Sequence, residues 1–184
     1  MEIAEQSGDD WALFGARAAR GVALVHRGGP DRAVGFELLG KTRERGASDA
    51  LLALPFVDIY LAREKTRLGD ISGAIELAQT VVDGMFDSGG SIWIALATSA
   101  LAEALLERGG QGDFEDARAA INRLAAMPTD PGFVLHDITL LRLRALLARA
   151  HGDEAGYRDY RDRYRTMAES LAFEGHMKWA EAMT

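Results

Sequence analysis

Apolar residues recur along the chain with the three- and four-residue spacing of amphipathic helices. Ile75, Ala78 and Val82 form one such series, and Ala117 and Ile121 belong to another. Because residues three and four apart share one face of a helix, each series predicts a helix with one buried side. The pattern as a whole predicts nine helices, at residues 10–27, 31–45, 50–68, 71–86, 91–108, 113–127, 134–150, 154–171 and 174–183.

The first eight predicted helices pair into hairpins that share one kind of turn. A turn glycine stands at Gly28, Gly69, Gly112 and Gly152, at intervals of 41, 43 and 40 residues. Glycine adopts the left-handed conformation that ends a helix, and an Asp directly after it can cap the next helix, as at Asp70, Asp113 and Asp153. These intervals predict four repeat units, at residues 10–45, 50–86, 91–127 and 134–171, with a capping helix over 174–183.

Small residues are expected where the two helices of each hairpin cross. Seven residues before the turn, the chain has Gly21, Ala62, Ala102 and Ala145. Five residues after the turn glycine it has Ala33, Ala74 and Ala117, with Tyr157 as the exception in the fourth unit. The pattern resembles tetratricopeptide-like repeats with a period longer than usual. We therefore predict an all-α, right-handed superhelix of tetratricopeptide-like type that forms a single domain over residues 1–184.

Composition and charge exclude several classes of function. The 184 residues include 28 acidic and 21 basic side chains, and the net charge of −7 disfavours nucleic acid and anionic membranes as partners. The absence of cysteine excludes disulfides, thiolate metal sites and a cysteine nucleophile. The first residues lack the basic start and apolar core of a signal peptide, and the longest uncharged stretch is too short to cross a bilayer. We expect a cytoplasmic protein.

Five segments carry a more specific resemblance: Pro131–Asp137, Leu140–Ala150, Tyr157–Asp159, Arg163–Ala168 and Phe173–Met177. Together they resemble the C-terminal helical-repeat region of actinobacterial, mycobacterial-type multidomain adenylate/guanylate cyclases. Those regulators join a class III cyclase domain and a STAND-type ATPase module to a helical tail. Neither the cyclase nor a complete ATPase module is present in this chain. The resemblance therefore implies regulation or interaction within a signalling protein, not catalysis.

One segment matches a nucleotide-binding motif. Residues Gly35–Thr42 fit the P-loop pattern GxxxxGK[ST], which works when a strand feeds a glycine-rich loop that wraps phosphates. Here the preceding residues read as a helix start. Asp58, the candidate metal-binding acid, follows Thr42 too closely for a helix, a return loop and a strand. We therefore predict a helix with Gly35 and Gly40 at packing contacts.

Other candidate chemistry is explained by packing and solvation. The four histidines, His26, His136, His151 and His176, show no metal-ligand spacing. Tyr157, Tyr160 and Tyr164 are spaced to form one packed face, beside the ion pairs Arg158–Asp162 and Asp159–Arg163. We expect no catalytic residue, no metal and no cofactor.

The first helix of each stacked hairpin is expected to line a concave binding groove. Residues one turn from the small packing positions should face it: Arg63, Thr66, Arg67, Ser99, Glu103, Glu107, Arg142 and Arg149. Because arginine can bind a carboxylate with two hydrogen bonds, an acidic peptide or C-terminus is the expected ligand. The alternative is that Arg63 and Arg149 pair with Glu103 or Glu107 across neighbouring helices.

These observations favour a non-enzymatic protein-interaction and regulatory module, with a protein or peptide partner. Association of two copies of the chain into a homodimer is a further alternative. The competing function is a small-ligand sensor that binds a metabolite in the groove. Nucleotide binding through Gly35–Thr42 ranks third.

Overall fold

The computed structural model describes residues 9–46, 53–89, 92–130 and 132–183. Within those ranges the chain is all α-helical, with nine helices and no strand. The helices are α1 (Asp10–Arg27), α2 (Gly29–Glu44), α3 (Leu54–Arg67), α4 (Ile71–Asp87), α5 (Ile94–Arg108), α6 (Asp113–Ala125), α7 (Val134–Ala150), α8 (Glu154–Ser170) and α9 (Glu174–Glu181). The predicted helices are confirmed to within a few residues, and the predicted starts of the third and fifth helices, at residues 50 and 91, lie outside the described residues.

The turn glycines behave as the sequence predicts. Gly28, Gly69, Gly112 and Gly152 all have positive φ, which a side chain would disfavour. Asp70 and Asp153 accept hydrogen bonds from the backbone N–H groups at the starts of α4 and α8. The cap predicted at Asp113 is wrong. This carboxylate lies inside the first turn of α6 and accepts instead from Arg108 and from the backbone N–H of Gly110.

The small residues predicted in the first helix of each hairpin are confirmed as buried: Gly21, Ala62, Ala102 and Ala145. In the second helices Ala74 and Ala117 are buried, but Ala33 is exposed. Gly35 replaces it at the crossing, where an added Cβ would come within 2.7 Å of the Gly21 carbonyl oxygen. Only Gly28 separates α1 from α2, so this turn is shorter than the other three and the five-residue count does not transfer.

The chain divides into two compact units, an N-terminal unit up to Asp83 and a C-terminal unit from Gly84. In the N-terminal unit α1 packs on α2 and α2 on α3, around buried Phe14, Val25, Leu39 and Val57. The C-terminal unit packs α5, α6 and α7 together, then α8 on α7 and α9 on α8. The superhelix and the single domain expected from the repeats remain predictions.

The capping role predicted for the last helix concerns the C-terminal unit alone. Ala180 in α9 and Met183 just after it are buried in the same cluster as Tyr157 and Tyr164 of α8. The Tyr157 hydroxyl also donates a hydrogen bond to the backbone carbonyl of Met183. Helix α9 therefore covers an apolar face of the α7–α8 hairpin.

Candidate functional site

Three of the predicted groove residues lie on α3, in the N-terminal unit. The Thr66 hydroxyl donates to a backbone carbonyl one turn earlier, at 3.2 Å, and Arg63 is half-buried. Arg67 donates from Nε to the Glu64 carboxylate at 3.0 Å. The Arg67 guanidinium is therefore already engaged by an acid of its own helix.

Glu64 is the centre of a small ion-pair network between α2 and α3. It is buried, and Arg32 Nε donates to both of its carboxylate oxygens, at 3.1 and 2.9 Å. Arg43 donates to Asp58 at 2.6 Å along the same pair of helices. Since a buried carboxylate is costly without compensating donors, we assign Arg67 to this structural network rather than to partner binding.

Ser99 lies inside the packed C-terminal unit. It is buried, and its hydroxyl donates to the backbone carbonyl of Ala95 at 3.0 Å. Nearly every position of α5 from Ile94 to Leu105 is buried, because this helix packs against both α6 and α7. The partner-binding role expected of Ser99 stays a prediction, and the docking surface defined below leaves it out.

The other predicted residues of α5 and α7 include one close pair. Arg142 Nη1 and Nη2 donate to the two oxygens of Glu103, at 2.7 and 3.0 Å. The Arg142 side chain is only 14% exposed, against 33% for Glu103. Arg142 is therefore bound by an acid of its own unit, and its role in partner binding stays a prediction.

Aromatic side chains surround this pair and complete what we call the Arg142 cluster: Glu103, Arg142, Tyr164, His176 and Trp179. The Arg142 guanidinium lies over the Trp179 ring, 4.7 Å from its centroid. The His176 ring meets the Trp179 ring edge-on at 5.1 Å, and His176 Nδ1 lies 2.8 Å from the Tyr164 hydroxyl in a hydrogen bond. Three helices, α7, α8 and α9, therefore meet α5 through one connected polar and aromatic network.

The protonation states of two cluster residues follow from burial and pairing. Burial raises the pKa of Tyr164 to about 12, although the Arg142 charge opposes the rise, so its hydroxyl keeps its proton near neutral pH. Burial works to lower the pKa of Arg142, but the hydrogen bonds that Arg142 donates to Glu103 outweigh it and the pKa is raised. The cluster therefore holds a charged Arg142–Glu103 pair beside a neutral phenol.

An exposed stripe continues from the cluster along α7. Leu135, Arg142 and Arg149 are spaced by seven residues, which places them on one side of the helix. Leu135 is exposed, and Arg149 is an exposed cation 5.6 Å from the Tyr157 ring centroid. On α5, Glu107 is exposed one turn beyond Glu103.

We define the docking surface as Leu135, Arg149, Glu107 and Trp179. Trp179 is 41% exposed, which is high for a large aromatic side chain. Neither Glu107 nor Arg149 forms an ion pair with another of the residues the structure describes. Of the predicted groove residues, Glu107 and Arg149 are therefore the ones that still present unpaired charge.

Sequence reasoning did not assign Tyr164, His176 or Trp179 to a site. The sequence does show the seven-residue spacing of Leu135, Arg142 and Arg149, which indicates that they share one side of α7. The contact of Arg142 with Trp179 joins residues 37 positions apart, and no local spacing encodes such a contact. It depends on how α9 folds back onto the α7–α8 hairpin.

The P-loop match lies inside a regular helix, as predicted. Residues Gly35–Thr42 belong to α2, and the Thr42 hydroxyl donates to the Leu38 carbonyl at 2.7 Å. Lys41 pairs with Glu37 at 2.5 Å, one turn earlier on the same helix. The backbone N–H groups of a helix are used by its own hydrogen bonds, so this segment forms no phosphate-wrapping loop. The packing role expected for Gly40 is wrong, since an added Cβ would meet nothing within 4 Å.

The tyrosine face of α8 is confirmed as a packed stripe, with Tyr157 and Tyr164 buried and Tyr160 half-buried. The predicted pair of Arg163 with Asp159 forms at 3.3 Å. The second predicted pair is replaced: Arg161 donates to Asp162, and Arg158 donates to a backbone carbonyl.

The histidines occupy unrelated places in the described chain. His136 is buried, burial lowers its pKa, and its Nδ1 has no hydrogen-bond partner among the described residues. Those residues also hold no group of three or more His, Cys, Asp or Glu placed to bind a metal ion. Across the described ranges, no helix has the combined length and apolar character needed to span a bilayer.

Comparison with protein-family models, with curated proteins and with solved structures gave no match. The assignment of a function therefore depends on the geometry of the described residues.

Proposed function

We propose that this chain is a non-enzymatic protein-interaction and regulatory module, of the tetratricopeptide-like superhelical type, and that it works as part of a cytoplasmic signalling protein such as a cyclase- or STAND-type regulator. The observation that carries the proposal is Trp179, a half-exposed indole held against the Arg142 guanidinium at 4.7 Å. The nine helices, close in their bounds to those of four hairpins and a cap, support the repeat architecture.

The surroundings of Trp179 favour binding rather than packing alone. Tryptophan and arginine contribute a large share of the energy at protein interfaces. Here the indole is fixed between Arg142 and His176, and Arg142 is itself fixed by two hydrogen bonds to Glu103. A side chain that is already ordered loses less entropy when a partner covers it.

The charges of the docking surface suggest an acidic peptide as partner. Because Glu103 already pairs with Arg142, we assign the binding of a partner carboxylate to Arg149. The Arg149 guanidinium is exposed and can donate two parallel hydrogen bonds to a carboxylate. Leu135 and Trp179 offer apolar contact area to the same peptide.

The test begins with capture of binding proteins by the full chain and continues with titration of one purified partner by calorimetry. We expect Trp179→Ala and Arg149→Glu each to weaken binding by about tenfold or more, as for central interface residues. Trp11→Ala and Arg118→Ala are matched controls, because both side chains are exposed and lie outside the docking surface. Equal affinity for all four variants would remove the docking surface from the proposal.

The second candidate function is a small-ligand sensor. A cavity in the N-terminal unit favours it, although this cavity lies at the α1–α2 hairpin and not among the groove residues named from the sequence. Nucleotide binding remains the third candidate, and stabilisation by ATP that disappears in Lys41→Ala would move it to the first rank.

A further inference from the structure

The N-terminal unit contains a cavity of about 290 Å³ at the end of the α1–α2 hairpin where α1 begins and α2 finishes. Its volume is at the small end of the range for ligand pockets. The cavity is lined by Asp10, Leu13, Phe14, Arg17, Thr42 and Arg45.

The lining follows from the helical register. Asp10, Leu13, Phe14 and Arg17 are spaced by three, one and three residues, which places them on one face of α1. Phe14 is buried and Leu13 half-buried, so the middle of this face is apolar while its two ends are charged. Arg45, the residue that ends α2, adds a second guanidinium.

The arginines of this cavity differ from three other arginines of the unit, which are already paired. Arg32, Arg43 and Arg67 each donate to a carboxylate of the same unit. Arg17 and Arg45 form no hydrogen bond or ion pair with any residue in the described part of the chain, even though Arg17 is half-buried.

Asp10 lines the same cavity but does not close onto either arginine. No ion pair joins Asp10 to Arg17 or Arg45 among the described residues, so its carboxylate lies beyond about 4 Å from both guanidinium groups. The cavity thus combines one carboxylate and two guanidinium groups with an apolar floor, and no ion pair joins them.

We propose that this cavity binds a free α-amino acid with an apolar side chain. The two guanidinium groups take the carboxylate, for which their forked geometry is suited, and Asp10 takes the ammonium group. Leu13 and Phe14 contact the apolar side chain. This site belongs to the N-terminal unit and the docking surface to the C-terminal unit, so the two proposals are tested independently.

The experiment is calorimetric titration of the full chain with three probes that share one ring. L-Phenylalanine carries both charges, 3-phenylpropionate lacks the ammonium group and phenethylamine lacks the carboxylate. We expect saturable binding of L-phenylalanine, binding of 3-phenylpropionate weaker by about fivefold to tenfold, and none of phenethylamine up to about 10 mM. The proposal is overturned if L-phenylalanine does not bind, or if phenethylamine binds as well as it does.

Variants locate the binding. Arg45→Ala, at an exposed helix end, and Arg17→Lys, which keeps the charge but not the fork, should each weaken L-phenylalanine binding by about tenfold. Arg20→Ala is the matched control, since Arg20 is an exposed arginine of α1 outside the cavity. Circular dichroism of every variant checks that helicity is retained. Binding that is unchanged in both Arg45→Ala and Arg17→Lys places the ligand elsewhere and contradicts the proposal.

Discussion

The Glu64 network of the N-terminal unit and the Arg142–Glu103 pair of the C-terminal unit bury opposite members of an arginine–carboxylate pair. In the N-terminal unit the acid is buried: the Glu64 side chain is 3% exposed, while Arg32 and Arg67 are 36% and 44% exposed. In the Arg142–Glu103 pair the base is buried: the Arg142 side chain is 14% exposed and Glu103 is 33% exposed. Arg108–Asp113, in the same unit, buries its acid as Glu64 is buried. The Arg32–Glu64 and Arg142–Glu103 pairs each join two helices, but the group that has lost its water differs.

This difference decides what each pair can do. A buried carboxylate accepts hydrogen bonds only, and two arginines meet that need at Glu64. A buried guanidinium has a flat face as well as a fork of donors, so Arg142 binds Glu103 at its edge and supports Trp179 on its face. The first pair links helices, whereas the second also places an aromatic side chain at the surface.

The largest expected effect comes from removing both donors to Glu64. The double variant Arg32→Met, Arg67→Met leaves a buried carboxylate without its partners, and we expect a loss of about 3 kcal/mol in the free energy of unfolding. Urea denaturation of the full chain measures it. Single replacement of either arginine should cost less than half as much, because the other one remains on the carboxylate.

The matched change in the C-terminal unit is Glu103→Gln. Arg142 keeps an acceptor at its edge and the Trp179 ring on its face, so we expect a loss of about 1 kcal/mol. If Glu103→Gln costs as much as the double arginine variant, the contrast between the Glu64 network and the Arg142–Glu103 pair is wrong.

A second prediction concerns alkaline pH and applies to the Arg142 cluster. Burial raises the pKa of Tyr164 to about 12, whereas tyrosine in an unfolded chain titrates near 10. Between these values the unfolded state binds fewer protons than the folded state, so the stability that is fully present below pH 10 falls as the pH rises. The loss is about 2.3 kcal/mol by pH 12 and approaches about 2.7 kcal/mol above it, and urea denaturation at a series of pH values measures it.

Tyr164→Phe separates this effect from general alkaline unfolding. The variant should be less stable at neutral pH by about 1 kcal/mol, because the hydrogen bond to His176 is lost. It should also lose less stability than the wild type between pH 10 and 12. Parallel curves for the two proteins would show that Tyr164 does not carry the pH dependence.

The helices could be predicted because their signals are local. A glycine with positive φ and the apolar spacing before it fix a helix end within a few residues, as at Gly69 and Gly152. The buried small residues followed from the same count, except Ala33, where the shorter turn after α1 gave the crossing position to Gly35. A turn shorter by two or more residues than the others was enough to make that prediction wrong.

The candidate site was less predictable because its contacts join distant helices. Glu103 and Arg142 were both named as groove residues, but their pairing depends on the packing of α5 against α7. The burial of Ser99 could not be predicted either, because the packing of α5 on two sides is a property of the folded unit. The contact between Trp179 and Arg142 forms only when α9 packs on the α7–α8 hairpin. The residues next to Trp179 in the sequence therefore do not predict it.

The smallest expected effect concerns the turns of the C-terminal unit. The turn from α7 to α8 uses Gly152 at φ 73°, but the turn from α8 to α9 uses Ala172 at φ 52°. A left-handed conformation costs a residue with a Cβ about 1 kcal/mol, while glycine loses more entropy on folding. Ala172→Gly should therefore raise the free energy of unfolding by about 0.5 kcal/mol, and Gly152→Ala should lower it by about 1 kcal/mol. Urea midpoints of the two variants measure both, and a loss of stability in Ala172→Gly would mean that the strain at this turn is already relieved by the docking of α9.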